Sequence, residues 1–174
     1  SRYDNKDVFY SGDGFETPGI NIDKTDTSEK AFLDISNKVI KIINDKNVDE
    51  LKSLFSAEDL KQSSDFDEAA QELFEFCENA KSIKFRFDSH NVGLTDMKPR
   101  PYYDSDKFFI ASQVELICQN KICEFFMEYC ILDSAEPQNQ GITTLRVADK
   151  ATHPDIMLEV DLDVPVECGI YVVK

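Results

Sequence analysis

Apolar residues recur every three or four positions through the first half of the chain, a spacing that predicts amphipathic helices. Asp26 and Glu29 have the spacing of a capping box and are expected to mark the start of the first helix. Ser56 is expected to cap a turn between the second and third helices. The predicted helices cover residues 28–45, 47–55 and 65–79.

After Lys81 the pattern changes to alternation of apolar and polar residues, which predicts strands. The clearest pair is a hairpin of residues 107–118 and 121–132, with Asn120 and Lys121 as its turn. That register places Cys118 opposite Cys123, and it gives one nearly apolar face and one mixed face, which includes Leu132. The other predicted strands are 82–89, 140–148, an alternating stretch from Ile156 to Val164, and 169–173.

These elements predict an α+β fold, in which N-terminal helices pack on an antiparallel β-sheet. Residues 1–27 have little apolar periodicity and are rich in Asp, Gly, Thr and Asn, so we expect an extended arm or tether there. Residues 28–174 are expected to form a single domain. Within it, residues 89–104 are predicted to be a long loop because Gly93, Pro99 and Pro101 interrupt them.

The charge of the chain restricts its partners. Thirty-four acidic residues oppose nineteen basic ones, which gives a formal net charge of −15. Nucleic acids and anionic membrane surfaces are disfavoured because binding to them requires clustered Lys and Arg. A basic protein partner is compatible with this charge through long-range attraction, and the alternative interpretation is that the acids only form a solubilising surface. No stretch approaches the ~20 apolar residues that span a bilayer, so we expect no direct membrane insertion by this segment.

The five cysteines are too few and too scattered for a disulfide scaffold. With no CxxC pair and only two His, no zinc site is expected, and neither is any other metal or cofactor. Cys118 and Cys123 would form a cross-strand disulfide in an oxidising compartment, whereas in a reducing one they would be two small core residues. Cys77 and Cys130 are interpreted as buried packing residues.

Three segments resemble a known family. They are VIKIINDKNVDELKSLFS from Val39 to Ser56, the cluster Asp65-Phe66-Asp67, and GITTLRV from Gly141 to Val147. Together they are similar to uncharacterised Gram-positive bacterial proteins, many of them lipoproteins, of the nuclear-transport-factor-two-like superfamily. The resemblance covers roughly residues 30–148 and implies a strongly bent sheet, the cystatin-like cone. It also implies an extracellular or cell-surface location, with a lipid anchor in the precursor.

The leading functional hypothesis is a non-catalytic binding module that is exported and tethered by its N-terminal arm. The chain lacks the GxSxG, P-loop, GxGxxG and HExxH motifs, so an enzyme is not favoured, and His90 as a general base would lie on the polar side of its strand. One alternative is an acidic inhibitor or immunity-type protein that binds a basic partner. Another is a small-molecule isomerase or dehydratase, which the superfamily includes.

If a small ligand binds, we expect it at the open end of the bent sheet, because helices cannot fill that concavity completely. The residues predicted to line this pocket are Val114, Leu116, Met127 and Tyr129. Tyr102 and Tyr103 are expected at its mouth, with the equal alternative that they begin the next strand and pack. The competing expectation for the pocket is a sealed core.

Overall fold

A layer of helices lies on one face of a β-sheet. The structure, a computed structural model, describes residues 16–17, 20–21, 25–85, 100–104, 106–154, 158 and 169–174. The helices are α1 (Thr25–Asp45), α2 (Val48–Leu54), α3 (Ala57–Gln62) and α4 (Phe66–Phe76). Among these described helices, none has both the length and the apolar character needed to cross a membrane.

The helix boundaries follow local capping. α1 contains the whole of the predicted helix but begins at Thr25, before the predicted start near residue 28, so Asp26 lies inside its first turn rather than at its cap. Asn47 caps α2, because its side-chain oxygen accepts a hydrogen bond of 3.1 Å from the backbone N–H of Glu50. Ser56 accepts one of 3.1 Å from the N–H of Asp59. What was predicted as a turn after Ser56 is therefore the short helix α3.

The strands form a mixed, open sheet. A separate two-stranded pair, β1 (Glu16–Thr17) with β2 (Ile20–Asn21), precedes α1 in the predicted arm. The sheet order is β3–β5–β6–β7–β8, and β4 also pairs with β5. Its strands are β3 (Ser82–Phe85), β4 (Arg100–Asp104), β5 (Lys107–Ile117), β6 (Ile122–Asp133), β7 (Gly141–Asp149) and β8 (Gly169–Val173).

Two strands differ from the prediction. Residues 100–104 form an edge strand rather than the end of a loop. Proline has no backbone N–H to donate, and an edge strand tolerates Pro101 because one of its sides has no neighbouring strand to bond. β8 pairs with β7 in parallel, so the all-antiparallel sheet is wrong. A parallel neighbour requires a crossover of about a dozen residues or more, and residues 150–168 provide it. The predicted strand at 156–164 lies in this crossover, outside the described residues except for Leu158.

The β5–β6 hairpin is antiparallel, as predicted, but its register differs by two residues. Cys123 pairs with Leu116, so the turn covers residues 118–121 and Cys118 does not face Cys123. A shift of two leaves every side chain on its predicted face, because side chains alternate with a period of two. A bulge at Phe108 and Phe109 then changes the faces near the end of β6.

The main core lies between the helices and the sheet. The bulge turns Leu132 towards this core, which corrects its predicted placement on the mixed face. The largest side chains sealed in this core come from both layers: Phe32, Ile43, Leu51, Leu73, Phe74, Phe108, Ile110, Leu116, Phe125, Met127, Ile142 and Leu145.

The opposite face of the sheet has a smaller core around Phe126, Cys130 and Leu158. Both the backbone N–H and the backbone carbonyl of Leu158 form hydrogen bonds with side chains of the sheet. Its N–H donates to the side-chain oxygen of Gln113 at 2.8 Å, and its carbonyl accepts from the Arg146 guanidinium at 2.6 Å. The crossover is therefore fixed to the sheet at this residue.

The helical layer meets the sheet backbone to backbone at Gly141, the first residue of β7. The backbone N–H of Ser56 donates to the carbonyl of Ile142 at 3.0 Å, which joins the α2–α3 junction to the strand. A Cβ on Gly141 would lie 2.7 Å from the carbonyl oxygen of Leu54, and the φ of Gly141 is +141°. Only glycine fits this contact, because both the space and the backbone angle exclude a side chain.

We predict that Gly141→Ala destabilises the domain by about 2–5 kcal/mol, since it combines a left-handed backbone with a clash against immovable backbone atoms. Gly169→Ala is the matched control. Gly169 also has positive φ (+135°), but its added Cβ would meet only Ser63 Oγ at 3.8 Å. Urea unfolding of both variants measures the difference; equal losses would contradict the close-contact argument.

Candidate functional site

Three cysteine thiols meet at one end of the core. The sulfur atoms of Cys77, Cys118 and Cys123 all lie within 4.8 Å of one another, and all three residues are buried. We call this group the thiol cluster. The four described cysteines, these three and Cys130, are free thiols.

The thiol cluster forms where the end of α4 passes over the β5–β6 turn. Cys77 is the C-cap of α4, and its N–H donates to the carbonyl of Leu73 at 2.9 Å. Just beyond it, Lys81 donates its N–H to the carbonyl of Ile117 at 2.8 Å, and the Asn79 amide donates to the side-chain oxygen of Gln119. These bonds hold the helix end against the turn.

Hydrogen bonding among the thiols separates their pKa values. The pKa of Cys118 is lowered, first because Cys123 and then Cys77 donate to its sulfur; the charge of Lys121 lowers it further, and burial opposes this. The pKa of Cys77 is raised by its hydrogen bonds with Cys118 and Cys123 and then by burial. The pKa of Cys123 is raised by its bond with Cys118 and then by burial, while its bond with Cys77 acts in the opposite direction. The cluster therefore favours one thiolate, at Cys118, stabilised by two neighbouring thiols.

The positive charge that acts on Cys118 is that of Lys121, in the hairpin turn. Its ammonium lies 3.9 Å from the centre of the Phe76 ring, a cation–π contact. Phe76 directly precedes Cys77, so the same contact draws the turn towards the helix end.

A surface cleft of about 460 Å³ lies elsewhere, between α2, the end of α3 and the start of α4. We call it the acidic cleft, because three carboxylates and one ammonium are among its lining groups. Its lining residues are Lys52, Leu60, Ser63, Ser64, Asp65, Phe66, Asp67 and Glu68.

The charged groups of the acidic cleft are accessible to solvent. Lys52 and Asp67 form an ion pair of 2.6 Å, with side chains 39% and 66% exposed, so a competing cation can reach the carboxylate. Asp65 is the N-cap residue of α4, but its side chain makes no capping hydrogen bond. The buried ring of Phe66 packs edge-on against Phe55, with ring centres 4.9 Å apart, and fixes this part of the cleft.

The residues predicted to line an internal pocket lie in the main core. Val114, Leu116 and Met127 are fully buried, and Tyr129 is half-buried against the same core. Burial raises the pKa of the Tyr129 hydroxyl. Ligand binding at these four residues stays a prediction; a ligand would reach the first three only if the helices moved from the sheet.

Tyr102 and Tyr103 lie in the edge strand β4, paired with Phe109 and Phe108 of β5. Their backbone therefore forms a separate strand that precedes β5, and their place at a pocket mouth stays a prediction. His90 lies outside the described residues.

Sequence reasoning missed the thiol cluster. Cys77 was placed on the apolar side of its helix, and Cys118 with Cys123 on the core face of the hairpin, so the separate orientations were available. The missing information was that the end of α4 crosses the hairpin turn. Hydrophobic periodicity specifies faces but not where one element crosses another.

The protein has an α+β fold in which a helical layer lies on a mixed sheet. It carries a buried thiol cluster and an acidic surface cleft. Residues 38–151 match the family described as a domain of unknown function (DUF5104), and the chain belongs to that family. The match includes the thiol cluster and the acidic cleft and ends just after β7. Comparison with curated proteins gives no match, and neither does comparison with solved structures.

We predict that the reduced protein retains one thiolate at pH 6, where a thiol with a pKa near ~8.5 would be almost wholly protonated. The lowered pKa of Cys118 shifts its titration to lower pH, so thiolate absorbance at pH 6 should disappear in Cys118→Ser. Cys130→Ser is the control, because burial raises the pKa of Cys130 to about 12. Unchanged absorbance in Cys118→Ser would contradict the assignment.

Proposed function

We propose that this domain is a non-catalytic binding module whose acidic cleft receives cationic side chains of a basic protein partner. The observation that carries the proposal is the open cleft of about 460 Å³ with Asp65, Asp67 and Glu68 at its surface. A Lys or Arg side chain from a partner is of a size that such a cleft accommodates.

The charges of the acidic cleft favour a cation. Its three carboxylates exceed its single ammonium, Lys52, by two charges. An incoming guanidinium or ammonium can exchange with Lys52 at Asp67, because both members of that pair are partly exposed. The net charge of −15 attracts the same partner at longer range and accelerates its association.

The acidic inhibitor hypothesis uses the same surface. An inhibitor or immunity-type protein would present the acidic cleft to basic residues of its target, so it differs from the general binding module only in its consequence for the partner. Loss of the partner's activity in the complex would distinguish the two.

We predict that the triple variant Asp65→Asn, Asp67→Asn, Glu68→Gln binds a short lysine-rich peptide at least about threefold more weakly than the native domain, because exposed ion pairs each contribute about 0.2–1 kcal/mol. Isothermal titration calorimetry at low ionic strength measures the change. Native binding should also weaken between ~50 and ~200 mM salt as the charges are screened.

The matched control is Asp34→Asn, Glu75→Gln, Glu78→Gln. It removes an equal number of negative charges, three, from exposed positions outside the cleft. Equal weakening in both triple variants would reject the cleft and leave only a general effect of net charge. Absence of peptide binding by the native domain would reject the cationic partner.

We also propose that the natural precursor is exported, lipid-anchored and held at the cell surface, and that the fold is a cystatin-like cone of the nuclear-transport-factor-two-like superfamily. The three segments that resemble Gram-positive lipoproteins support this. We expect the precursor, expressed in a Gram-positive host, to incorporate labelled fatty acid and to fractionate with membranes. Recovery of unlabelled protein from the cytoplasm would contradict it.

A further inference from the structure

We propose that Cys77, Cys118 and Cys123 together bind one thiophilic, closed-shell metal ion, with zinc as the representative. The site is separate from the acidic cleft, so this inference does not depend on the proposed partner. Three thiols from a helix end, a turn and a strand converge at one point of the core.

The spacing of the three sulfur atoms suits direct coordination. With zinc–sulfur bonds of about 2.3 Å, sulfur atoms that share one ion are about 3.8 Å apart in tetrahedral geometry and about 4.0 Å apart in trigonal geometry. The thiol cluster is already contained within 4.8 Å. An ion would therefore need no sulfur–sulfur distance to shorten by more than about 1 Å, which side-chain rotation can supply.

The donor set identifies the class of ion. Three thiolates are soft ligands and select thiophilic ions over magnesium or calcium, which require oxygen. Among the described His, Cys, Asp and Glu residues, the group at this point contains only the three thiols. A zinc ion, which is usually four-coordinate, would take one small donor such as water as its fourth ligand. A monovalent ion would need only the three thiolates.

Binding moves protons but no electrons. The thiols that are still protonated lose their S–H bonds, three sulfur–metal bonds form, and the released protons go to the solvent. Three thiolates and a divalent ion leave one net negative charge. Lys121, whose charge already acts on Cys118 and Cys123, offsets it.

The position of the cluster gives the ion a structural role. The end of α4 and the β5–β6 turn are also joined there by the Lys81–Ile117 backbone bond, the Asn79–Gln119 side-chain bond and the Lys121–Phe76 cation–π contact. An ion that bridges Cys77 to Cys118 and Cys123 would lock the helix end to the sheet. It would also keep the thiols out of disulfides in an oxidising compartment, because the sulfur lone pairs would be engaged.

The test uses the full chain, fully reduced and freed of metal. Titration with Zn²⁺ should show one ion bound and a higher melting temperature, and Cd²⁺ as a probe should produce sulfur-to-metal charge-transfer absorption. Cys77→Ser, Cys118→Ser and Cys123→Ser should each weaken zinc binding at least about tenfold. Cys130→Ser, which removes a buried thiol from the opposite face, should leave it unchanged.

A second measurement on the native chain covers variants that fail to fold. Zinc should slow alkylation of Cys77, Cys118 and Cys123, as read by peptide mass spectrometry in mild denaturant, well beyond any slowing at Cys130. Equal protection of all four, charge-transfer absorption retained in all three cluster variants, or a native disulfide within the cluster would each overturn the proposal. Absence of zinc binding by the reduced chain would overturn it directly.

Discussion

The contact between Gly141 and the α2–α3 junction fixes the helical layer on the sheet. There the Ser56 N–H bonds to the Ile142 carbonyl, at a separation that leaves no room for a Cβ. The path of the chain into α3 and α4 starts from this junction. Both candidate sites therefore depend on it: the acidic cleft includes the start of α4, and the thiol cluster includes its end.

α2 and α3 are too short to be stable as isolated helices, so their positions come from caps and packing. The side chains of Asn47 and Ser56 each accept a hydrogen bond from one N–H in the first turn of these helices, that of Glu50 and that of Asp59. The edge-on contact of Phe55 with Phe66 then ties the end of α2 to the start of α4. The acidic cleft is consequently formed by anchored segments, although its carboxylates remain in solvent.

The sequence predicted individual elements well and their mutual arrangement less well. The core face of the β5–β6 hairpin was correct despite the wrong turn, because a two-residue change of register preserves side-chain direction. Leu132 was misplaced because a bulge has no signature in alternation. The parallel direction of β8 and the meeting of Cys77 with the hairpin depend on long-range packing, which no local pattern specifies.

The two hydrogen bonds of the Leu158 backbone attach the β7–β8 crossover to the sheet part-way along its length. A single long connection would have to close one large loop before β8 could pair in parallel with β7. Gln113 and Arg146 instead hold the chain at an intermediate point, which divides the connection at Leu158. The Arg146 guanidinium donates there to the Leu158 carbonyl and lies near the rings of Phe126 and Tyr171, at 5.8 and 5.6 Å from their centres. The buried side chain of Arg146 is thus a point of attachment for the crossover that leads to the last strand.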